Sequence, residues 1–328
     1  MVLVTGGTGF IGRRIVHRLQ AAGYTVRVLV RNKAAAREVF SEPAPLELVE
    51  GDVLDVLGLA RALEGVNDVV HAAAVVSFWR REYKLMQEVN QTGTANLVNV
   101  ALEAGLPGKL LLLSSSAALG RTQDGQTITE ANKWKKSPLN SHYAYTKYLA
   151  EKELYRGIEE GLQGVILNPT VVLGDSDFSR SSGKMLARAV QGGKYYPPGV
   201  NGFVSLEDVA RATLLALESD FVAGERFLLN ATNLSYQEFF RLAAGAIGAR
   251  VPRKPMPRAM IRRGARAAAF LSRLTGRPPL ILPATAVTLT HKFFYDASRF
   301  KDSFGYTFQA AEDFIPAAAK ACVKQQTS

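Results

Sequence analysis

The sequence predicts an α/β protein, a doubly wound parallel sheet with a smaller C-terminal part, and three observations carry that prediction. The chain opens with the apolar run Val2-Leu3-Val4, breaks into glycines and restarts with helical spacing. Strand and helix patterns then alternate through the first half, as expected of parallel strands joined by right-handed helical crossovers. From about residue 170 the alternation gives way to a stretch richer in Gly, Pro and Ser, around 174–202, with Tyr195-Tyr-Pro-Pro-Gly199 at its centre.

Taken in order, Val2–Val4 is a buried strand, and Gly7, Gly9 and Gly12 fit G-x-G-x-x-G. Gly6, Gly9 and Gly12 fit a looser G-x-x-G-x-x-G. Ile11, Ile15, Val16 and Leu19 recur at helical spacing, and Gly23 stands where a C-terminal cap belongs. Further strands are expected at 25–30, 46–50, 68–73, 109–113 and 165–167, with helices near 55–64, 82–104 and 143–160. A strand end followed by a helix fits 203–218. A strand feeding a glycine turn at a helix N-terminus holds a pyrophosphate, because missing Cβ atoms admit the phosphates and the free N–H groups favour an anion. The first domain therefore reads as a Rossmann-type dinucleotide-binding unit over 1–168. Residues 169–328 mainly form the substrate side, with 203–222 packing back on the first domain. In such a sheet the ligand lies at the carboxyl ends of the strands, near the point where strand order reverses.

At 328 residues the chain can bury a sizeable core. The single cysteine, Cys322, excludes an internal disulfide and suggests a reducing compartment. Met1 runs directly into the first strand and no apolar stretch approaches a membrane span, so a cytoplasmic protein is expected. The net charge of +11 is local. No acidic residue occurs between Glu238 and Asp296, whereas eleven basic ones do. They are Arg241, Arg250, Arg253, Lys254, Arg258, Arg262, Arg263, Arg266, Arg273, Arg277 and Lys292. The remaining chain is balanced.

The second strand chooses the dinucleotide. An acidic residue at its tip would accept bonds from the ribose 2′-hydroxyl of NAD, whereas an arginine would pair with the 2′-phosphate of NADP. Here the strand ends Val30-Arg31-Asn32 with no carboxylate, which favours NADP over NAD. Tyr143-Ala-Tyr-Thr-Lys147 opens a helical stretch and places Tyr143 and Lys147 on one face. An ammonium near a phenol is expected to draw its pKa down towards the range useful for acid-base work.

These features occur in a fixed order: the glycine turn, Gly51-Asp52, Val70-His-Ala-Ala-Ala74, Ser114-Ser-Ser116 and Tyr143-x-x-x-Lys147. In that order the chain resembles the extended short-chain dehydrogenase/reductase superfamily. It looks most like the branch of 3β-hydroxysteroid dehydrogenases and dihydroflavonol 4-reductases, which Leu167-Asn-Pro-Thr170, Val204-Ser-Leu-Glu-Asp-Val-Ala210 and Asp296-Ala-Ser-Arg-Phe…Phe-Gly-Tyr306 also fit. The resemblance implies an NADP-dependent oxidoreductase interconverting a ketone and a secondary alcohol. Tyr143 would be the general acid or base, and Lys147 would hold the nicotinamide ribose. Ser115 would bond the substrate oxygen, with Ser116 as the alternative reading, and Asn90 would support the proton relay. Gly6, Gly9, Phe10, Ile11, Gly12 and Arg31 would contact the cofactor; so would Asp52, Val53, Ala72, Ala73 and Ala74, and Asn168, Pro169 and Thr170 would lie beside the nicotinamide.

Nucleotide-sugar epimerases and dehydratases are the rival reading within the superfamily. They usually clamp a diphosphate with an arginine just before the Val-x-Asp-Val-Ala-like stretch, where this chain has Gly199-Val-Asn-Gly-Phe203. They also tend to place acidic residues where Ala117 and Ala118 stand. An apolar or aromatic substrate is therefore preferred, of steroid, flavonoid or acyl-ketone type. Phe78, Trp79, Tyr195, Phe293, Phe294 and Tyr295 are candidates for its wall. His71 reads as a packed core histidine, and four scattered histidines do not make a metal site. The segment 250–277 reads either as a solvated basic face on a lidding helix or as a contact with an anionic membrane. On a helix over 257–277, Arg258, Arg262, Arg266, Arg273 and Arg277 share one side, and Met260, Leu271 and Leu274 lie towards the other. Few aromatics interrupt it, which argues against nucleic acid and against a non-catalytic, nucleic-acid-binding role. The superfamily often forms homodimers through helices that correspond here to 82–104 and 143–160.

Overall fold

The computed structural model describes residues 1–40, 46–122, 125–175, 178, 181–220, 224–275 and 282–327. Along the chain come β1 (Val2–Thr5), α1 (Phe10–Ala21), β2 (Val26–Val30), α2 (Lys33–Val39), β3 (Leu46–Glu50), α3 (Val56–Leu63) and β4 (Asp68–His71). Next are α4 (Tyr83–Gln87), α5 (Gly93–Glu103), β5 (Lys109–Leu113), β6 (Thr127–Ile128), α6 (His142–Glu159), β7 (Gln163–Pro169) and β8 (Val171–Leu173). Then follow α7 (Ser181–Val190), β9 (Tyr195–Tyr196), β10 (Val200–Ser205), α8 (Leu206–Glu218), β11 (Glu225–Leu229), β12 (Thr232–Ser235) and α9 (Tyr236–Gly245). The chain closes with β13 (Lys254–Pro255), α10 (Arg258–Thr275), α11 (Pro283–Thr290), β14 (Phe294–Tyr295), α12 (Ser298–Phe304) and α13 (Ala311–Thr327).

Seven parallel strands form the main sheet in the order β11-β7-β5-β4-β1-β2-β3, so strand order reverses between β1 and β4. Both faces are covered, which is why these strands read as continuous apolar runs. Val4, Val28, Leu111 and Leu167 belong to one buried cluster, and Leu3, Val69, Leu110 and Ile166 to another. Replacing one of these residues by alanine is expected to cost roughly 2–5 kcal/mol.

The sheet differs from expectation in instructive ways. β4 ends at His71, two residues short of the expected strand: the Ala72 N–H makes the last ladder bond to the Thr5 backbone oxygen at 3.1 Å, and the Ala73 N–H turns to Thr5 Oγ1 at 3.3 Å. The single helix expected over 82–104 is broken by a π-turn at Glu88–Thr92 between α4 and α5. Strand β11, hidden in irregular sequence, returns the chain to the main sheet beside β7, and α8 packs on α1. Residues 221 and 222, at the end of the segment expected to pack back, lie outside the described residues.

The second body is the three-stranded sheet β12-β10-β8 with α7, α9 and α13, joined through Leu173, Phe203, Phe239 and Phe314. Asp208 of α8 ties its C-terminal segment down: it accepts from Tyr306 Oη at 2.7 Å and from the Gln309 N–H at 3.1 Å. Helix α10 leans on α11 through Ile261 and Ala265. Its Met260 and Leu271 are exposed rather than packed, contrary to a simple division into basic and buried sides. The side chains of Arg273 and Leu274, and the whole of Arg277, lie outside the described residues.

Candidate active site

The glycine turn closes on itself and on the end of β4. Gly6 has φ +70°, and a Cβ there would lie 2.5 Å from the Ala73 nitrogen. A Cβ on Gly12 would lie 2.1 Å from the Gly6 carbonyl oxygen, so strand end and helix start meet only without side chains. Gly9 caps α1 with no side-chain bond, and no acidic residue stands in the first turn. The N-terminal N–H groups of Phe10, Ile11 and Gly12 are thus presented with the helix dipole at the carboxyl end of β1. Arg31 is exposed just after β2, Asp52 and Val53 follow β3, and Ala72, Ala73 and Ala74 follow β4. Val53 packs on Gly93, where a Cβ would meet its Cγ2 at 2.7 Å, and Asp52 Oδ1 accepts from Leu54 N at 2.9 Å. These residues stand at the carboxyl ends of β1 to β4, on the side of the sheet where a doubly wound fold receives its ligand.

Ser115 stands beside Tyr143, its hydroxyl opposing the rise in the phenol's pKa, and its Oγ accepts from the Ala117 N–H at 3.2 Å. Ser116, the alternative reading, is buried and stands beside Tyr295. Ser141 caps α6 by accepting from Ala144 N at 3.1 Å, fixing Tyr143 in the helix's first turn. Burial raises the Tyr143 pKa above the ordinary phenol value, and the Ser115 hydroxyl opposes that rise. The expected lowering by Lys147 is absent, because the Lys147 Nζ donates to the Leu113 carbonyl at 2.9 Å. Lys147 is buried, and desolvation lowers its pKa to about 8 against the influence of Glu151. At neutral pH the pair is a neutral phenol and a largely charged ammonium.

Behind them lies a buried network that the sequence reading missed. Glu151 is one turn beyond Lys147 and 1% exposed. It accepts from Ser114 Oγ at 2.5 Å and Asn168 Nδ2 at 2.6 Å, and pairs with Arg226 at 3.2 Å. Its signal was the spacing Tyr143, Lys147, Glu151, which keeps one helix face. Asn168 Nδ2 also donates to the Ser115 carbonyl at 2.8 Å, while its Oδ1 is buried without a partner among the described residues. Pro169 ends β7, and Thr170 Oγ1 donates to the Leu229 carbonyl at 3.1 Å.

Asn90 sits in the π-turn, a feature common at functional sites. Its Nδ2 donates to Val75 O at 2.9 Å and Thr146 Oγ1 at 3.0 Å, and its Oδ1 accepts from Val75 N at 2.8 Å. These bonds let the Asn90 side chain hold the β4 loop against α6, and its Oδ1 keeps a second acceptor site. His71 bridges Thr5 Oγ1 at 2.6 Å and Thr94 Oγ1 at 3.0 Å; burial foremost, then Lys147, lowers its pKa to about 3. Among the described residues no three His, Cys, Asp or Glu side chains gather as a metal site.

The apolar candidates separate. Phe78 meets Tyr143 edge to face, with ring centroids 6.1 Å apart. Trp79 carries Arg81 over its ring at 5.5 Å, and Phe293 is buried under Arg121 at 4.5 Å. Tyr195 is not brought to this group: it is 38% exposed on β9, with Lys194 over its ring.

With that geometry in view, the comparisons agree. The NAD dependent epimerase/dehydratase family model matches residues 2–229. The chain belongs to this family, within the extended short-chain dehydrogenase/reductases, and is an NAD(P)-dependent oxidoreductase. It is 30% identical over 309 residues to a Synechocystis sp. protein called "Putative dihydroflavonol 4-reductase", covering 92% of this chain and 88% of that one. Sterol demethylase protein B of Methylococcus capsulatus is 29% identical over 259 residues, covering 78% of this chain and 77% of that one. The crystal structure of gox2253 superposes with a TM-score of 0.84 at 31% identity, covering 99% of this chain and 98% of that one. No helix among the described residues is long and apolar enough to cross a membrane.

Proposed function

We propose that this oxidoreductase uses NADP to interconvert a ketone and a secondary alcohol on an apolar or aromatic substrate. One observation carries the reading: Ser115 and Tyr143 stand beside each other, one helical turn from the buried Lys147, where β5 ends beside the reversal point. Relatives described as acting on a flavonoid and a sterol support the substrate class. The glycine turn and α1 would hold the pyrophosphate, Arg31 the 2′-phosphate, and Lys147 the nicotinamide ribose. The unpartnered Asn168 Oδ1 offers an acceptor to the same ligand. When bound, the nicotinamide supplies or accepts hydride.

The chain's own residues handle the proton. Ser115 Oγ and Tyr143 Oη bond the substrate oxygen, and the phenol, neutral through burial, donates its proton as the carbonyl becomes an alkoxide. In the reverse direction Tyr143, ionised to the phenolate, takes that proton from the alcohol. Phe78 beside the phenol excludes water and contacts the apolar body of the substrate. The test is NADPH absorbance with a panel of steroid, flavonoid and acyl ketones and UDP-sugars. Oxidation of NADPH by a ketone supports the reading. Conversion of a UDP-sugar without net nicotinamide change overturns it in favour of epimerisation.

A further inference from the structure

Arg121 is a cation whose Nε is buried and for which the described residues supply no counter-ion. It follows Gly120, whose φ of +79° turns the chain away from the Ser115–Ser116 segment. Its guanidinium lies over Phe293 at 4.5 Å, Nη2 donates to Thr288 Oγ1 at 2.8 Å, and Nη1 reaches the Leu139 carbonyl at 3.4 Å. All are neutral partners. Nε is buried and has none. Among the described residues no carboxylate pairs with it; the groups acting on it are the phenols Tyr295 and Tyr236. A guanidinium does not shed its proton, so among the described residues this charge meets only neutral partners. Buried unpaired donors of this kind are rare and gather at sites where a ligand completes them. The location points the same way: the Tyr295 phenol stands beside Ser116, the residue next to Ser115, and beside the Arg121 cation.

We propose that Arg121 is a specificity-determining residue of the substrate cleft, selecting a substrate whose apolar body carries a carboxylate. The inference rests on the cleft assigned to Ser115 and Tyr143 above. A planar fork with a free N–H suits a carboxylate, and the surrounding Phe293, Tyr236 and Tyr295 suit an apolar body. One cation matches a single negative charge better than a diphosphate.

Calorimetry on the NADP-loaded protein tests this without requiring turnover, so it fails separately from the redox reading. The probes are 4-phenylbutyrate, its neutral amide, and UDP. The acid should bind roughly ten- to a hundredfold more tightly than the amide, the range a charge-assisted hydrogen bond supplies. R121Q should erase that preference and R121K should keep part of it. A purely structural Arg121 would instead lower the melting temperature of R121Q while leaving the acid-over-amide ratio unchanged. Equal binding of acid and amide, a preference that survives R121Q, or selective loss of UDP binding each overturns the proposal.

A separate observation concerns α10. One stripe of this helix, Ile261, Ala265 and Ser272, is buried, while Phe270, Leu271 and Met260 are 61%, 57% and 45% exposed. Arg262, Arg263 and Arg266 flank that apolar stripe, and no acidic residue occurs within the interval 239–295 to neutralise them. We infer that this outward face docks on an anionic lipid surface, with Phe270 and Leu271 inserted and the arginines on the headgroups. Sedimentation with phosphatidylcholine vesicles, with and without phosphatidylglycerol, reads it out. Binding should require the anionic lipid; the triple variant R262Q/R263Q/R266Q should lose roughly a hundredfold, and F270S/L271S should also weaken it. No binding at low salt, equal binding to neutral vesicles, or capture of an RNA oligomer in preference to the vesicles overturns it.

Discussion

Glu151 follows Lys147 by one turn of α6, and its carboxylate is the group that sustains the charge on that buried ammonium. The Lys147 pKa is held down to about 8 by desolvation, so the ammonium is lost as pH rises through that value. With Lys147 holding the ribose, kcat/KM for NADPH should therefore decline above about pH 8. Glu151→Gln should move that limb to lower pH and also destabilise the fold by roughly 3 kcal/mol or more, because Arg226 loses its buried partner. A pH profile with denaturant melts separates the two effects. An unmoved limb contradicts the coupling.

Tyr143→Phe removes the hydroxyl of a phenol that stands beside Ser115. Turnover should fall by about 10²–10⁴, the usual contribution of a positioned acid. NADPH binding, followed by nicotinamide fluorescence, should remain within roughly threefold because the glycine turn and β2 tip are untouched. Retained turnover removes Tyr143 from its role.

How much of this was legible follows from the range of each interaction. The strands β1 to β5, the glycine turn and the Tyr143–Lys147 pair are local patterns, and the buried parallel sheet made them plain in apolar runs and spacing. Strand β11 was not legible: Glu225–Leu229 carries its signal in pairing with β7, some sixty residues earlier. Glu151 was visible only as one carboxylate in a charged helix, since its meaning comes from Ser114, Asn168 and Arg226 on three other segments. The phenol's pKa went the other way from the sequence argument because burial outweighs an ammonium that is turned to Leu113.

Arg31→Asp tests the cofactor choice. An exposed arginine at the β2 tip contributes charge-assisted bonds to a 2′-phosphate, worth roughly tenfold to a hundredfold in affinity. The aspartate repels that phosphate and accepts from a 2′-hydroxyl instead. The ratio of kcat/KM for NADPH over NADH should fall by at least that factor, measured on one ketone. An unchanged ratio contradicts the phosphate contact.

His71 makes acid stability a test of the core beneath the site. Folded, its pKa is lowered to about 3, chiefly by burial, against an ordinary value of 6.5. Between those values the unfolded chain binds a proton that the native imidazole refuses, so native stability rises with pH across this window and is lost as pH falls through it. The loss is on the order of several kcal/mol when the window is fully crossed. His71→Gln keeps a polar side chain between Thr5 and Thr94 but does not titrate, so it should be less stable than the natural protein at pH 7. As pH is lowered towards about 4, the gap in melting temperature between the two should narrow. A constant gap would mean that His71 takes up its proton equally in the folded and unfolded chain, which burial and the nearby Lys147 ammonium oppose.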